Sequence, residues 1–105
     1  MTGIEEATYY SPFTVQVEAS SSTTTLRLSG ECDSHVAHQL RDVLETALAT
    51  SSAVVLDVEA ITFIDSSALN VLLAARQHET PYRVTRGNRV VDRVFELTGL
   101  TCMYD

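Results

Sequence analysis

The stretch that decides the fold runs from Ala53 to Arg76 and reads AVVLDVEAITFIDSSALNVLLAAR. Its first half is a largely apolar run, whereas the residues from Leu69 onward are apolar at the spacing of one helix face. The polar residues Asp65, Ser66 and Ser67 separate the two halves. This pattern predicts a buried strand, a turn and a helix, with Asp65 or Ser66 as the helix N-cap.

Strands and helices alternate on both sides of this stretch. Two segments with period-two alternation, 13–17 and 23–30, are joined by a polar turn and predict an antiparallel hairpin. Apolar residues at helical spacing over 36–48 predict the first helix. Asp33 or Ser34 is expected to be its N-cap because both residue types favour that position.

The last part of the chain predicts one more strand and one more helix. The strand covers 82–86, and its arginines favour an edge position in the sheet. Asn88 is expected to cap the helix and Gly99 to end it. Residues 102–104 are expected to form a final short strand.

The element order predicts an α/β fold. Helices that cross between successive strands require those strands to be parallel, so an N-terminal antiparallel hairpin should continue into parallel strands. We expect a small mixed β-sheet with helices packed mainly on one face. A chain of 105 residues supports one core. We therefore expect a flexible N-terminal arm at 1–12 and a single domain at 13–105.

Charge and cysteine content limit the function classes. The net charge of −7 argues against direct binding of nucleic acid, whose phosphates require a basic surface. Cys32 and Cys102 lack CxxC spacing and indicate reduced thiols. Residues 1–11 carry no basic segment leading into an apolar one, so no export is expected, and no apolar run approaches the roughly 20 residues that span a bilayer. We expect a cytoplasmic protein without membrane insertion.

The polar joint is the first candidate for chemistry. A hydroxyl in the first turn of a helix suits a phosphoryl group, because free N–H groups and the helix dipole stabilise an anion there. A serine nucleophile is disfavoured, because a nucleophile elbow needs glycine on both sides and here Asp65 and Ala68 flank the serine pair. His35 and His38 are too few for a metal site, and no phosphate-binding or dinucleotide motif is present. No metal and no cofactor are expected.

Three motifs resemble the STAS domain of bacterial anti-sigma factor antagonists. The segment VVLDVEAITFIDSSAL is similar to the family's apolar strand that ends in Asp-Ser-Ser-Gly-Leu. Gly30-Glu31-Cys32-Asp33 is similar to its Gly-Glu-Leu-Asp, and 91–100 is similar to its Val-Arg-Arg-Val-Leu-Glu-Leu-Thr-Gly-Leu. The motifs occur in the family's order and cover nearly the whole chain from Phe13.

The resemblance implies a non-enzymatic switch that takes part in transcription regulation and stress responses. Such a protein binds an anti-sigma factor, so that a sigma factor is released. The anti-sigma factor is typically also a serine-protein kinase that phosphorylates the second serine of the motif, here Ser67, and a phosphatase would reverse this step. The resemblance places Asp65, Ser66 and the loop of Asp33, Ser34 and His35 beside Ser67 on the partner-binding face.

The sequence departs from the family pattern at two neighbouring positions of that face. Ala68 and Asn70 stand where the family has glycine, and either could change the choice of partner or hinder a kinase. STAS-like proteins also serve as non-enzymatic subunits of lipid-transport ATPase complexes and as stress-signalling scaffolds. These two roles are the alternatives to the anti-sigma factor antagonist.

Overall fold

The computed structural model describes residues 13–85 and 87–104, together with the backbone of 4–5. Its strands are β1 (Ile4–Glu5), β2 (Thr14–Ser20), β3 (Thr23–Cys32), β4 (Ala53–Ile64) and β5 (Tyr82–Val84). Its helices are α1 (Ala37–Thr50), α2 (Ser66–Ala74) and α3 (Arg89–Thr98), with 3-10 turns at Ala75–Gln77 and Thr101–Tyr104.

The described strands form one mixed sheet in which the spatial order equals the chain order. β2 pairs antiparallel with β1 and β3, whereas β4 lies parallel to both β3 and β5. The predicted α/β fold, with an antiparallel hairpin followed by parallel strands, is therefore confirmed. β5 is an edge strand of this sheet, as the arginines of its segment indicated. β1 falls within the predicted arm at 1–12, whose remaining residues lie outside the described ones, so its flexibility stays a prediction.

One face of the sheet carries the core. The register aligns Leu26 of β3 with Leu56 of β4 and Val84 of β5, and all three side chains are fully buried. They share one hydrophobic cluster with Leu40 of α1 and Phe95 of α3. The neighbouring positions on these strands alternate to the other face, where most side chains are polar. Burying apolar side chains on one face explains why the helices pack there.

The predicted N-cap of the first helix is wrong. α1 begins at Ala37 and its N-cap is Val36, which offers no side-chain acceptor. The Asp33 carboxylate instead accepts a hydrogen bond from the amide of His35 at 3.0 Å, and its carbonyl accepts one from Val36 at 3.1 Å. The Asp33 side chain is thus hydrogen-bonded within its own loop, and this local bond competes with the capping of a helix.

The predicted final strand is also wrong, because Thr101–Tyr104 forms a 3-10 turn. The Met103 amide donates to the Leu100 carbonyl at 3.0 Å, which closes the turn. Met103 and Tyr104 are buried, and the Tyr104 ring lies 5.2 Å from the ring of Phe95. The Tyr104 hydroxyl also donates to the carboxylate of Asp92. Packing against α3 therefore decides the conformation of this segment.

Asn88 and Gly99 have the roles that the sequence predicts for them. The Asn88 side chain accepts hydrogen bonds from two amides in the first turn of α3. Gly99 follows the helix with φ of 74°, a left-handed conformation that glycine adopts without steric cost. Within the described ranges, no helix is long and apolar enough to cross a membrane.

Candidate functional site

The parallel pairing of β3 and β4 brings their carboxyl ends together. Cys32 is paired with Ile64 in the register, and the Asp65 amide donates to the Cys32 carbonyl at 3.2 Å. The loop after β3 and the first turn of α2 therefore leave the sheet side by side. We call this the strand-end surface. It comprises Asp33, Ser34, His35, Asp65, Ser66 and Ser67.

Asp65 begins α2. Its backbone is extended and its carboxylate accepts a hydrogen bond from the amide of Ala68 at 3.1 Å, so Asp65 rather than Ser66 is the N-cap. Ser66 and Ser67 are the first and second helical residues, and their amides belong to the group that a helix leaves without intrahelical partners. Ser66 is exposed and Ser67 is half-buried. A hydroxyl thus lies at the positive end of a helix, where an added anion is stabilised.

Ala68 and Asn70, the two residues that depart from the family pattern, lie in different environments. Ala68 is 0% exposed, so its methyl group packs in the core. Asn70 is exposed, three residues after Ser67 on the same side of the helix. The structure therefore leaves Asn70, and not the Ala68 side chain, available at the surface.

The loop after β3 presents polar side chains beside this helix start. Asp33 is half-buried and fixed by its hydrogen bond to the His35 amide, whereas Ser34 and His35 are exposed. The His35 ring nitrogen Nδ1 lies 3.7 Å from the Asp33 carboxylate. The loop therefore holds Asp33 in place and leaves the neighbouring side chains open to a partner.

The buried thiol of Cys32 lies at the end of β3, close to two carboxylates of the strand-end surface. Burial, together with the nearby carboxylates of Asp65 and Asp33, raises the pKa of Cys32 to about 12. The thiol is therefore neutral at physiological pH. Asp33 and Asp65, both half-buried, contribute two carboxylates to the strand-end surface.

Sequence reasoning missed one residue near this surface. Phe63 is two residues before the cap and is 48% exposed, although the apolar run was expected to be core. Leu73 on α2, at 41% exposed, departs from that expectation in the same way. The signal for Phe63 is the three-residue step between the buried Ile61 and Ile64, which breaks strand alternation. An exposed aromatic beside polar residues is a common anchor in protein interfaces.

In the region that the structure describes, no three His, Cys, Asp or Glu side chains converge around His35 and His38. The His38 ring instead lies 3.6 Å from the carboxylate of Asp42, one turn further along α1. The strand-end surface offers carboxylates and hydroxyls, and the exposed ring of Phe63 lies close to it in the sequence.

The comparisons with known proteins agree with this geometry. The family model described as "Mlab, STAS domain" matches residues 15–104, which is most of the chain. The protein therefore belongs to the STAS domain family.

Solved structures of anti-sigma factor antagonists share the fold. One from Mycobacterium paratuberculosis is 28% identical, with a TM-score of 0.79, over 88% of this chain and 82% of that chain. Unphosphorylated SpoIIAA is 24% identical, with a TM-score of 0.74, over 87% of this chain and 85% of that one. The phosphorylated form of the Bacillus cell fate determinant SpoIIAA is 23% identical, with a TM-score of 0.68 and coverage of 87% and 88%. The chain is thus a STAS domain built like anti-sigma factor antagonists.

Proposed function

We propose that this protein is an anti-sigma factor antagonist that binds an anti-sigma factor with serine-kinase activity and thereby releases a sigma factor. Phosphorylation of Ser67 ends the interaction, and a phosphatase restores it. The observation that carries this proposal is the position of Ser67, the second residue of a helix capped by Asp65 on an exposed strand-end surface. The relation to solved anti-sigma factor antagonists supports it.

A phosphate on Ser67 is compatible with the fold. It adds about −1.5 to −2 charge, and the first turn of a helix stabilises negative charge through its free amides and its dipole. The modified protein should therefore remain folded, with the charge acting on the partner instead. The added charge lies beside Asp65 and near Asp33, so it makes an acidic surface more acidic and increases its hydration.

The unmodified surface offers both apolar and polar contacts. Phe63 supplies an exposed aromatic side chain, and Asp33 and Asp65 favour a basic partner surface. Ser34, His35, Ser66 and Asn70 extend the polar area, all of them exposed. We exclude the Ala68 side chain from the contact because its methyl group lies in the core.

The proposal is tested by binding measurements with the cognate anti-sigma factor kinase. Ser67→Ala should bind within about threefold of the wild type, whereas Ser67→Asp should bind at least tenfold more weakly, a difference of about 1.4 kcal/mol. Ser66→Asp is the matched control, because it adds the same charge one residue away. Equal affinity of Ser67→Ala and Ser67→Asp would contradict the switch.

A second experiment tests the modification itself. Incubation with the same partner and ATP should add one phosphate, which mass spectrometry should locate on Ser67 and not on Ser66. Thermal unfolding of the phosphorylated protein should occur at or above the temperature of the unmodified protein, because the phosphate lies at a helix N-terminus. A chain that stays unmodified under these conditions would remove phosphorylation from the proposal.

A second candidate function uses the same surface without phosphorylation. The chain would then be a non-enzymatic subunit of a lipid-transport ATPase complex or a stress-signalling scaffold. Asn70 favours this alternative, because its exposed side chain lies one turn from Ser67, where the family pattern has glycine. Co-purification of a transporter ATPase with unmodified Ser67, in place of a small kinase, would decide for it.

A further inference from the structure

The exposed side of α2 carries no charged side chain. The sequence from Ser66 to Ala75 contains no Asp, Glu, Lys or Arg. The exposed residues of the helix are Ser66, Asn70, Leu73 and Ala74. Their spacings of three and four positions make them neighbours on one side of the helix. We call these four residues the α2 face.

The other two helices in the described part of the chain expose charge. Their exposed charged side chains are Arg41, Asp42 and Glu45 on α1 and Arg89, Arg93 and Glu96 on α3. The uncharged stretch of α2 lies between Asp65, which caps the helix, and Arg76, whose guanidinium donates to the thiol sulfur of Cys102 at 2.8 Å. Among the described helices, α2 is therefore the one whose exposed side is uncharged.

An uncharged surface is suited to the centre of a protein interface. Removing water from it costs less than removing water from a charged surface, because an unpaired ion loses much of its hydration energy. The centres of protein interfaces are correspondingly depleted of charged residues. Leu73 is 41% exposed, so a partner that covers it removes apolar surface from water. Asn70 adds a donor and an acceptor for hydrogen bonds to that partner.

The α2 face is continuous with the strand-end surface, because Ser66 belongs to both. Ser67 is half-buried and lies three positions before Asn70, at the border between the two surfaces. A partner that contacts Ser67 therefore reaches Asn70 and Leu73 along the same helix. A phosphate on Ser67 would bring about −1.5 to −2 charge to this border. That charge would have to lose hydration when a partner covers α2, which opposes binding.

We infer that the α2 face docks an uncharged, largely apolar surface of the anti-sigma factor, with Leu73 as the apolar contact and Asn70 as the polar one. This inference rests on the function proposed above and identifies the part of the interface that phosphorylation of Ser67 would control. A second copy of this chain is disfavoured as the occupant. Pairing two α2 faces would bring together the carboxylates of two strand-end surfaces, on chains that each carry a net charge of −7.

Adding a charge without removing a packed side chain tests the inference. Ala74→Glu places a carboxylate on the α2 face and should weaken binding of the cognate anti-sigma factor kinase by about tenfold or more. Ala49→Glu is the matched control, because Ala49 is an exposed alanine in the last turn of α1, as Ala74 is in α2. The control should leave the affinity unchanged, and the two variants should unfold at similar temperatures.

Shortening the apolar contact is the second test. Leu73→Ala should weaken binding about tenfold. The factor should be the same at about 0.1 M and about 1 M salt, because screening acts on charges and this contact has none. Leu97→Ala removes an exposed leucine from α3 and should leave the affinity unchanged.

The outcomes separate this inference from the proposed function. If the wild type binds the kinase, equal affinities of Ala74→Glu and Ala49→Glu, or of Leu73→Ala and Leu97→Ala, would overturn the inference and leave the proposed function standing. Self-association of the isolated chain that Ala74→Glu abolishes, measured by sedimentation, would overturn it in favour of a second copy. A wild-type chain that does not bind the kinase would overturn both.

Discussion

Replacing Asn88 by alanine tests how the fold holds β4 and α3 together. Asn88 is 7% exposed, and its side-chain nitrogen, which has two N–H groups to donate, lies 2.7 Å from the carbonyl oxygen of Val58, 2.9 Å from that of Glu59 and 2.8 Å from that of Ile61. Its side-chain oxygen accepts hydrogen bonds from the amides of Val90 at 2.8 Å and Val91 at 3.1 Å. One side chain thus joins the start of a helix to the backbone of a strand.

The cost of Asn88→Ala has two parts. Removing the N-cap should cost about 1 kcal/mol. Leaving buried β4 carbonyls without donors should add about 1 to 3 kcal/mol for each group that water cannot reach. With the two fully buried carbonyls, those of Val58 and Ile61, the total is about 3 to 7 kcal/mol, a large share of the roughly 5 to 15 kcal/mol that stabilises a folded domain.

Urea unfolding followed by circular dichroism measures this cost. With a slope of about 2 kcal/mol per M, a loss of about 4 kcal/mol lowers the midpoint by about 2 M. Asn88→Ser keeps a cap acceptor and should fall between the wild type and Asn88→Ala. Asp65→Ala is the matched control, because it removes a cap with one hydrogen bond and should cost only about 1 kcal/mol. If Asn88→Ala costs no more than Asp65→Ala, the bonds to β4 contribute nothing and the reasoning is wrong.

Two further predictions concern the strand-end surface. Burial, followed by the carboxylates of Asp65 and Asp33, raises the pKa of the Cys32 thiol from 9.0 to about 12. The contribution of the neutral thiol to stability is therefore complete below pH 9 and is lost as the pH rises towards 12. The unfolding free energy should fall in that range by up to about 1.4 kcal/mol per pH unit, more steeply than in Cys32→Ala, and an equal slope in both proteins would contradict this. Phe63→Ser should weaken binding of the anti-sigma factor at least tenfold with little change in stability, whereas Leu97→Ser should leave that binding unchanged. Equal affinities of these two variants would exclude Phe63 from the interface.

Local sequence signals predicted most of the fold. Alternating apolar residues located the main strands, and Asp65, Asn88 and Gly99 begin or end helices as these residue types favour. The errors arose where a local preference had two outcomes. Asp33 could cap a helix or close a turn, and the hydrogen bond to its own loop decided for the turn.

The sequence located the helix start that carries Ser67, but not which neighbouring side chains are exposed around it. Two short apolar segments, 102–104 and the one around Phe63, show the limit. Periodicity alone cannot decide the secondary structure and exposure of such short runs. The 3-10 turn near the C-terminus depends on packing against Phe95, and the exposure of Phe63 depends on an irregular strand. Contacts between distant parts of the chain decide both outcomes.

The irregularity in β4 connects Asn88 with the strand-end surface. The segment of β3 from Arg27 to Cys32 pairs with a segment of β4 that is two residues longer, and the additional residues bulge from the sheet. The carbonyls that Asn88 binds belong to this bulge, and the amide of Val58 donates to the Thr85 hydroxyl at 3.2 Å.

The two additional residues of β4 interrupt the alternation of buried and exposed side chains twice between Asp57 and Ile64. Ile61 and Ile64 then remain buried while Phe63 faces solvent. The same register places Ile64 opposite Cys32, so that Asp65 binds the end of β3 and begins α2. The positions of Ser67 and Phe63 therefore depend on hydrogen bonds between residues that are 27 positions apart in the sequence.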